Sequence, residues 1–255
     1  MLIETDVFGT IIDKVMMAID RIKTFEPPEG YYVAFSGGKD SVVILDLIKR
    51  SGVKFDAHYN ITGIDPPELF YFIRDQHPEV QRHRPEMTMW SLIPKKRLPP
   101  TRRVAYCCEY FKERGGGGRK VITGIRWEES NKRKTRRMVE ICYKDVSKTY
   151  INPIIEWSTK DVWEYIHKNN LAYCCLYNEG FERLGCIMCP KSSNQKKEGE
   201  RWPRYYQKYM RAFKICLEKR LTDGLKNTWE RPEQMMNWWL GETKVEDVDC
   251  STLFD

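Results

Sequence analysis

Apolar positions recur near a 3.6-residue period over residues 5–24, where Val7, Ile11, Ile12, Val15, Met16, Ile19 and Ile22 share one face. That pattern predicts an amphipathic helix ended by Pro27-Pro28. The short run YYVAF from Tyr31 reads as a strand, and VVILDLIKRSG returns to helical spacing with Gly52 as the residue that closes the helix. KFDAHYNIT reads as a second strand, PPELFYFIRDQH as a helix with proline in its first turn, and RKVITGIR as a third strand after the glycine run 115–118. WSTKDVWEYIHKNN starts on a capping residue, Ser158 or Thr159, and carries Val162, Trp163 and Ile166 on one face. Beyond about residue 195 the pattern is helical and aromatic, and then an acidic tail follows. Strands alternating with helices predict an α/β fold with a parallel sheet flanked by helices and a helical C-terminal extension.

Composition narrows this reading. The chain has 255 residues, 41% hydrophobic and 31% charged, which suits a soluble domain that needs no disulfides. No window approaches the roughly 18 apolar residues of a membrane span, so no membrane partner is expected. The start MLIETDVFGT lacks a basic segment leading into an apolar one, and a cytoplasmic protein is the expectation. Net charge is +7, yet Lys95 to Arg137 holds fifteen Lys or Arg against four Glu, which leaves the remainder negative. Such a segment attracts polyanions or anionic substrates, or else forms a solvated basic face.

The stretch SGGKDS, Ser36 to Ser41, sits between the first strand and its helix. A strand feeding a glycine turn and a helix N-terminus gathers unpaired N–H groups and the positive end of the helix dipole at one point. Gly37 and Gly38 permit close backbone approach, while Ser36 and Ser41 add hydroxyls and Lys39 a cation. Asp40 is out of place in a pure anion site, and its carboxylate suggests Mg²⁺ beside the phosphates. The stretch lacks the GxxxxGK[ST] of a Walker A loop. It resembles the PP-loop of the ATP pyrophosphatase superfamily, whose Rossmann-like, HUP-type sheets bind adenine nucleotides.

Nine cysteines expected in a reducing compartment read as metal ligands or redox groups. Cys107-Cys108 and Cys186-x-x-Cys189 make a two-plus-two set of the kind that suits zinc or an iron–sulfur cluster. Adjacent cysteines are unusual for structural zinc, whereas a [4Fe–4S] cube tolerates them. The paired spacing, with TGIRWEES (Thr123 to Ser130), NPIIEWSTKDVWEYI (Asn152 to Ile166) and LYNEGFERLGCIMCP (Leu176 to Pro190), is similar to the [4Fe–4S] pattern of the phosphoadenylyl-sulfate and adenylyl-sulfate (PAPS/APS) reductase family. The helical pattern sets an N-terminal helix within 1–30, packed on the core, and an extension over 191–255; the resemblance implies a PP-loop domain over residues 31–190 between them. It also implies a nucleotide held by Ser36, Gly37, Gly38, Lys39, Asp40, Ser41, Gly124 and Arg126, with Lys39, Asp40 and Arg126 catalytic and the four cysteines on the cluster.

Cys174-Cys175, Cys142 and Cys216 fall outside that pattern and read as packing. Cys250 lies in VEDVDCSTLFD, a tail without the Glu-Cys-Gly of the family's assimilatory reductases, and is a possible nucleophile. Arg126 leaves a strand at the edge where α/β sheets bind ligands, and its fork suits phosphate or sulfate oxygens. The alternative is a surface arginine paired with Glu128 or Glu129. KRKTRR (Lys132 to Arg137) can extend that anion site or meet tRNA or DNA, with Trp90, Tyr106 and Trp127 available to stack on bases.

Two chemistries share such a scaffold. One adenylates an acceptor with ATP·Mg²⁺ and then inserts sulfur from a donor such as a cysteine desulfurase, in the manner of nucleic-acid thio-modification. The other reduces APS or PAPS to sulfite with a thiol reductant. The full Lys-Asp-Ser continuation of the loop and the missing Glu-Cys-Gly tail lean to the first. A subunit that binds nucleotide without turnover is the non-enzymatic alternative.

Overall fold

The computed structural model describes residues 2–5, 8–226 and 228–243; the acidic tail, Cys250 and Val7 lie outside the described residues. In chain order these form β1 (Ile3–Thr5), β2 (Ile11–Asp13), α1 (Lys14–Thr24), β3 (Tyr31–Ala34), α2 (Lys39–Ser51), β4 (Phe55–Asn60), α3 (Pro67–Gln76), β5 (Gln81–His83), α4 (Met89–Lys96), α5 (Tyr106–Phe111) and β6 (Lys120–Ile122). They continue with β7 (Val139–Ile141), β8 (Thr149–Ile151), α6 (Thr159–Lys168), α7 (Gln195–Arg201), α8 (Pro203–Thr222) and α9 (Pro232–Trp239). No helix among the described residues is long and apolar enough to cross a membrane.

The chain divides into two compact units. The first takes in residues 1–60, 67–83 and 114–184; the second takes in 61–66, 84–113 and the chain from Gly185 onward. This differs from the expected consecutive division at residue 190. Segment 84–113, placed by sequence in the sheet domain, supplies α4, which packs on α8. Met89, Leu92 and Ile93 of α4 are buried, and Trp90 sets its ring edge-on to Tyr209 with centroids 5.0 Å apart.

The first unit holds a six-stranded sheet in the order β5-β4-β3-β6-β8-β7, parallel except for β7 at its edge. The α/β expectation is met, and α1, α2 and α6 pack together. Tyr31, Val33, Val43, Leu47, Ile48, Ile122, Ile151, Val162 and Ile166 are all buried, the apolar faces that the spacing announces. On α6, Tyr165 is buried and Trp163 is half-buried, so the tyrosine takes the core position expected of the tryptophan. Its hydroxyl donates to Asp46 of α2 at 2.6 Å.

The predicted helix over residues 5–24 begins only at Lys14. Asp13 takes extended backbone and accepts from the N–H groups of Val15 and Met16, capping α1. The residues before it pair as the β1–β2 hairpin, Ile3 opposite Asp13 and Thr5 opposite Ile11. The third strand is likewise shorter than RKVITGIR: β6 stops at Ile122, and Thr123 to Arg126 leave the sheet.

Strand order reverses between β3 and β6, the place where open α/β sheets bind ligands beyond their strand ends. The chain after β3 turns through Gly37 at φ +71° into α2, and a Cβ there would lie 2.7 Å from Ile73. The chain after β6 passes so close to α2 that a Cβ on Gly124 would lie 2.8 Å from the Asp40 carbonyl oxygen. Backbone cannot yield as a flexible side chain can. Gly124→Ala is therefore expected to lower unfolding stability by about 1–3 kcal/mol in urea denaturation, and an unchanged midpoint would show that the two segments separate freely.

Candidate functional site

At the switch point the SGGKDS loop is organised by its own hydroxyls. Ser41 Oγ donates to the Gly38 carbonyl at 2.8 Å, and the Ser36 N–H and hydroxyl reach Ser41 Oγ at 3.3 and 3.2 Å. Gly38 begins α2 and has no side chain to cap it. Gly52, at φ 74°, ends the same helix as expected. Lys39 and Ser41 are buried, so the loop is part of the packed interior as well as its rim.

Arg126 is not the open fork that its place at a strand end suggests, nor a surface arginine. Its side chain is 1% exposed. Nε donates to Asp40 Oδ1 at 2.7 Å, Nη1 to Glu128 Oε2 and the Trp157 carbonyl at 3.1 Å each, and Nη2 to Thr159 Oγ1 at 3.3 Å. Its backbone N–H donates to Glu129 at 3.0 Å. The guanidinium is planar and its five N–H groups must all be answered once it leaves water, so protein oxygens surround it. Burial works against the Glu128 carboxylate, but hydrogen bonds from Thr159 and Arg126 prevail and hold it below the ordinary range.

Asp40 is equally engaged. Its second oxygen faces Lys39 Nζ at 3.3 Å, so each carboxylate oxygen already has a cation of the protein beside it. This set does not fit a bound Mg²⁺: a hard cation needs carboxylate oxygens turned outward. The physical reason for an acidic residue in the loop is Arg126. Lys39 also donates through its backbone N–H to Tyr177 Oη at 2.9 Å and through Nζ to the Glu182 carbonyl at 3.2 Å. Sequence reasoning gave Tyr177 no role, although it lies in the stretch LYNEGFERLG that resembles the family.

Cys107, Cys108, Cys186 and Cys189 all belong to the second unit. The first pair opens α5, a helix and not a strand, and adjacent thiols on a helix are about 100° apart around the axis. Cys107 shares a hydrogen bond with Cys108, which raises the Cys107 thiol; burial and the charges of Cys108, Cys186 and Cys189 add to the rise. The same hydrogen bond, with Lys191 and Lys112 behind it, favours the Cys108 thiolate. Lys191 Nζ donates to Cys108 Sγ at 3.6 Å. Cys186 and Cys189 lie on a turn in which the Cys189 N–H donates to the Cys186 carbonyl at 3.2 Å and Met188 takes φ 56°. Burial pushes the Cys186 thiol up to about 12, against the pull of the Lys112 ammonium.

The four thiols thus share one electrostatic neighbourhood. Among the described residues no three His, Cys, Asp or Glu side chains converge as a single ion requires. Cys142, Cys174 and Cys216 are buried packing residues, but Cys175 is exposed and does not pack as expected. The basic segment Lys95–Arg137 is divided between the two units. Within KRKTRR, Arg133 pairs with Glu129 and Arg136 with Glu140, while Lys132, Lys134 and Arg137 are exposed. Of the three aromatics, Trp127 is 42% exposed; Trp90 and Tyr106 are half-buried, and the Tyr106 hydroxyl donates to the Leu98 carbonyl at 2.6 Å.

Comparison with known proteins supplies an independent line. Residues 30–192 match the phosphoadenosine phosphosulfate reductase domain. An uncharacterized protein of Methanocaldococcus jannaschii is 30% identical over 209 residues, taking in 73% of this chain and 42% of that protein, so the chain spans less than half of that relative's length. An adenosine 5′-phosphosulfate reductase of Geobacillus kaustophilus is 31% identical over 196 residues, 66% of this chain and 77% of the relative. The fold is shared with a phosphoadenylyl-sulfate reductase of Candida auris crystallised as a phosphate complex, at a TM-score of 0.50 and 18% identity over 66% of this chain and 87% of that one. The domain match contains the loop, Arg126 and both cysteine pairs, and with it the chain belongs to the phosphoadenosine phosphosulfate reductase domain family of the PP-loop superfamily.

Proposed function

We propose that this chain binds ATP at the SGGKDS loop and cleaves it between the α and β phosphates while adenylating an acceptor, as the first half of a sulfur insertion. The observation that carries this reading is the complete loop at the switch point: Ser36, Lys39 and Ser41 gather on the start of α2, with Arg126 buried behind Asp40. An acceptor oxygen attacks the α-phosphorus, a new P–O bond forms, and the bond to the β-phosphate oxygen breaks with its electron pair leaving on pyrophosphate. The helix N-terminus and the Lys39 ammonium neutralise that charge, which is positioning and electrostatic catalysis. A sulfur nucleophile from a donor protein then displaces AMP. Asp40 acts by orienting Arg126 and Lys39, and no step is assigned to Mg²⁺ beyond its place on the nucleotide as substrate.

Cys107, Cys108, Cys186 and Cys189 fit an iron–sulfur cluster by their chemistry: four thiols of one unit, coupled through charge, with Lys191 on Cys108 and Lys112 acting on Cys186. When bound, it supplies a soft metal site with affinity for sulfur. The exposed Lys132, Lys134 and Arg137 support tRNA or DNA as the acceptor, since each phosphate they neutralise adds salt-dependent affinity.

The relatives named adenosine 5′-phosphosulfate reductase favour a second reading, sulfite formation from APS or PAPS. There a thiolate attacks the sulfonyl sulfur, an S–S bond forms, the S–O bond to the nucleotide breaks, and a dithiol reductant frees sulfite. Cys250 would be that thiolate and lies outside the described residues. A nucleotide-binding subunit without turnover has no observation in its favour.

Anaerobic protein given ATP·Mg²⁺, APS and PAPS, with and without thiol reductant and a pool of tRNA or DNA, is expected to release pyrophosphate and AMP from ATP; sulfite from APS or PAPS with ATP untouched would establish the reductase. Asp40→Asn keeps an oxygen for Arg126 Nε but removes the charge, and is expected to slow pyrophosphate release about a hundredfold with the fold retained. Full turnover in that variant would remove Asp40 from the machinery. Cys186→Ser is expected to lose most of the bound iron while ATP still binds in a filter assay, and undiminished iron would overturn the four-cysteine assignment.

A further inference from the structure

α2 begins without a cap of its own. A serine, threonine or aspartate at Gly38 would answer the N–H of Asp40 or Ser41, and a helix under no other demand gains about 1 kcal/mol from such a residue. The Lys39 N–H, the first of the helix and beyond the reach of any such cap, is answered from far along the chain, by Tyr177 Oη at 2.9 Å. The same tyrosine hydroxyl lies 3.5 Å from where a Cβ on Gly38 would stand, directly over the loop.

The tyrosine is held from its other side. Its ring meets Trp163 edge-on with centroids 5.1 Å apart, and Lys39 Nζ lies 5.7 Å from the ring centroid. Lys39 Nζ also donates to the Glu182 carbonyl. The backbone N–H of Lys39 and one donor of its ammonium are therefore answered by residues 177–182. Cys174 and Leu176 anchor the segment in the interior, while Asn178, Glu179, Gly180, Glu182 and Arg183 are exposed.

A neutral phenol is a modest acceptor, and a phosphate oxygen forms a charge-assisted bond roughly twice as strong. We infer that the Tyr177 hydroxyl holds the place of a phosphate oxygen on the Lys39 N–H in the free protein and is displaced when a nucleotide binds. This rests on the loop being the phosphate site. It makes Tyr177 a residue that acts by occupying the site: its hydroxyl sets a threshold that only an anion at the helix N-terminus overcomes.

The test is calorimetric titration of the full chain and of Tyr177→Phe with ATP, APS and inorganic pyrophosphate, with Lys39→Ala as the variant that locates the site. Phenylalanine keeps the ring on Trp163 and removes only the competing hydroxyl. Affinity for all three probes is expected to tighten about 2- to 10-fold, the equivalent of one released hydrogen bond. The sign is diagnostic, because a merely structural tyrosine would weaken binding when altered. If wild type binds, Lys39→Ala does not, and Tyr177→Phe binds equally or more weakly, the inference falls and the loop's role stands. If wild type binds none of the probes, or Lys39→Ala binds them as well as wild type does, the loop reading fails and takes the inference with it.

Discussion

The buried guanidinium of Arg126 is the constraint around which the first unit is arranged. A cation 1% exposed must be matched by acceptors from every side, and they come from α2, from the turn after β6 and from the start of α6. Removing one partner of such a buried pair typically costs about 3–5 kcal/mol, far more than the pair gains over an apolar substitute. Its presence is therefore better explained by what it specifies than by stability. Asp40 can meet Arg126 only because Gly124 lets backbone approach backbone. The SGGKDS loop consequently has one position relative to the strand end that carries the arginine.

The loop and the cysteines obey different organising rules. In the first unit, a parallel sheet places chemistry at the strand ends where its order reverses, and side chains from distant segments converge there. In the second, short helices and a turn bring two cysteine pairs into one electrostatic neighbourhood above Tyr209, whose hydroxyl donates to the Ile187 carbonyl at 3.2 Å. The chain crosses between units several times, so each carries pieces that sequence order alone would assign to the other. The phosphate-type loop lies in one unit and the four thiols in the other, and each is organised by its own unit's residues.

Periodicity made part of this legible in sequence. The strand β3, the helix α2 with Gly52 at its end, and α6 with its Ser158 cap are strongly patterned and stand where the spacing puts them. The β1–β2 hairpin was hidden because Ile11, Ile12 and Val15 satisfy a helical face as readily as a strand followed by a helix; the Asp13 cap breaks the tie locally. β5, β7 and β8 have three residues each, too few to show alternation. Among the site residues, the loop and Arg126 stood out by local pattern. Tyr177 did not, since its partner is 138 residues away and nothing near it in sequence marks the contact. The same holds for the burial of Arg126: a motif identifies an arginine, whereas packing decides whether its fork is open.

Amide hydrogen exchange with and without a saturating non-hydrolysable ATP analogue tests the central claim, that this switch point is where the nucleotide sits. Slowed exchange concentrated at residues 36–41 and 123–127 is the predicted result, because the loop N–H groups would be bonded to phosphate and the arginine turn held against them. Unchanged exchange in both stretches while the analogue is demonstrably bound would contradict the account and place the nucleotide elsewhere on the chain.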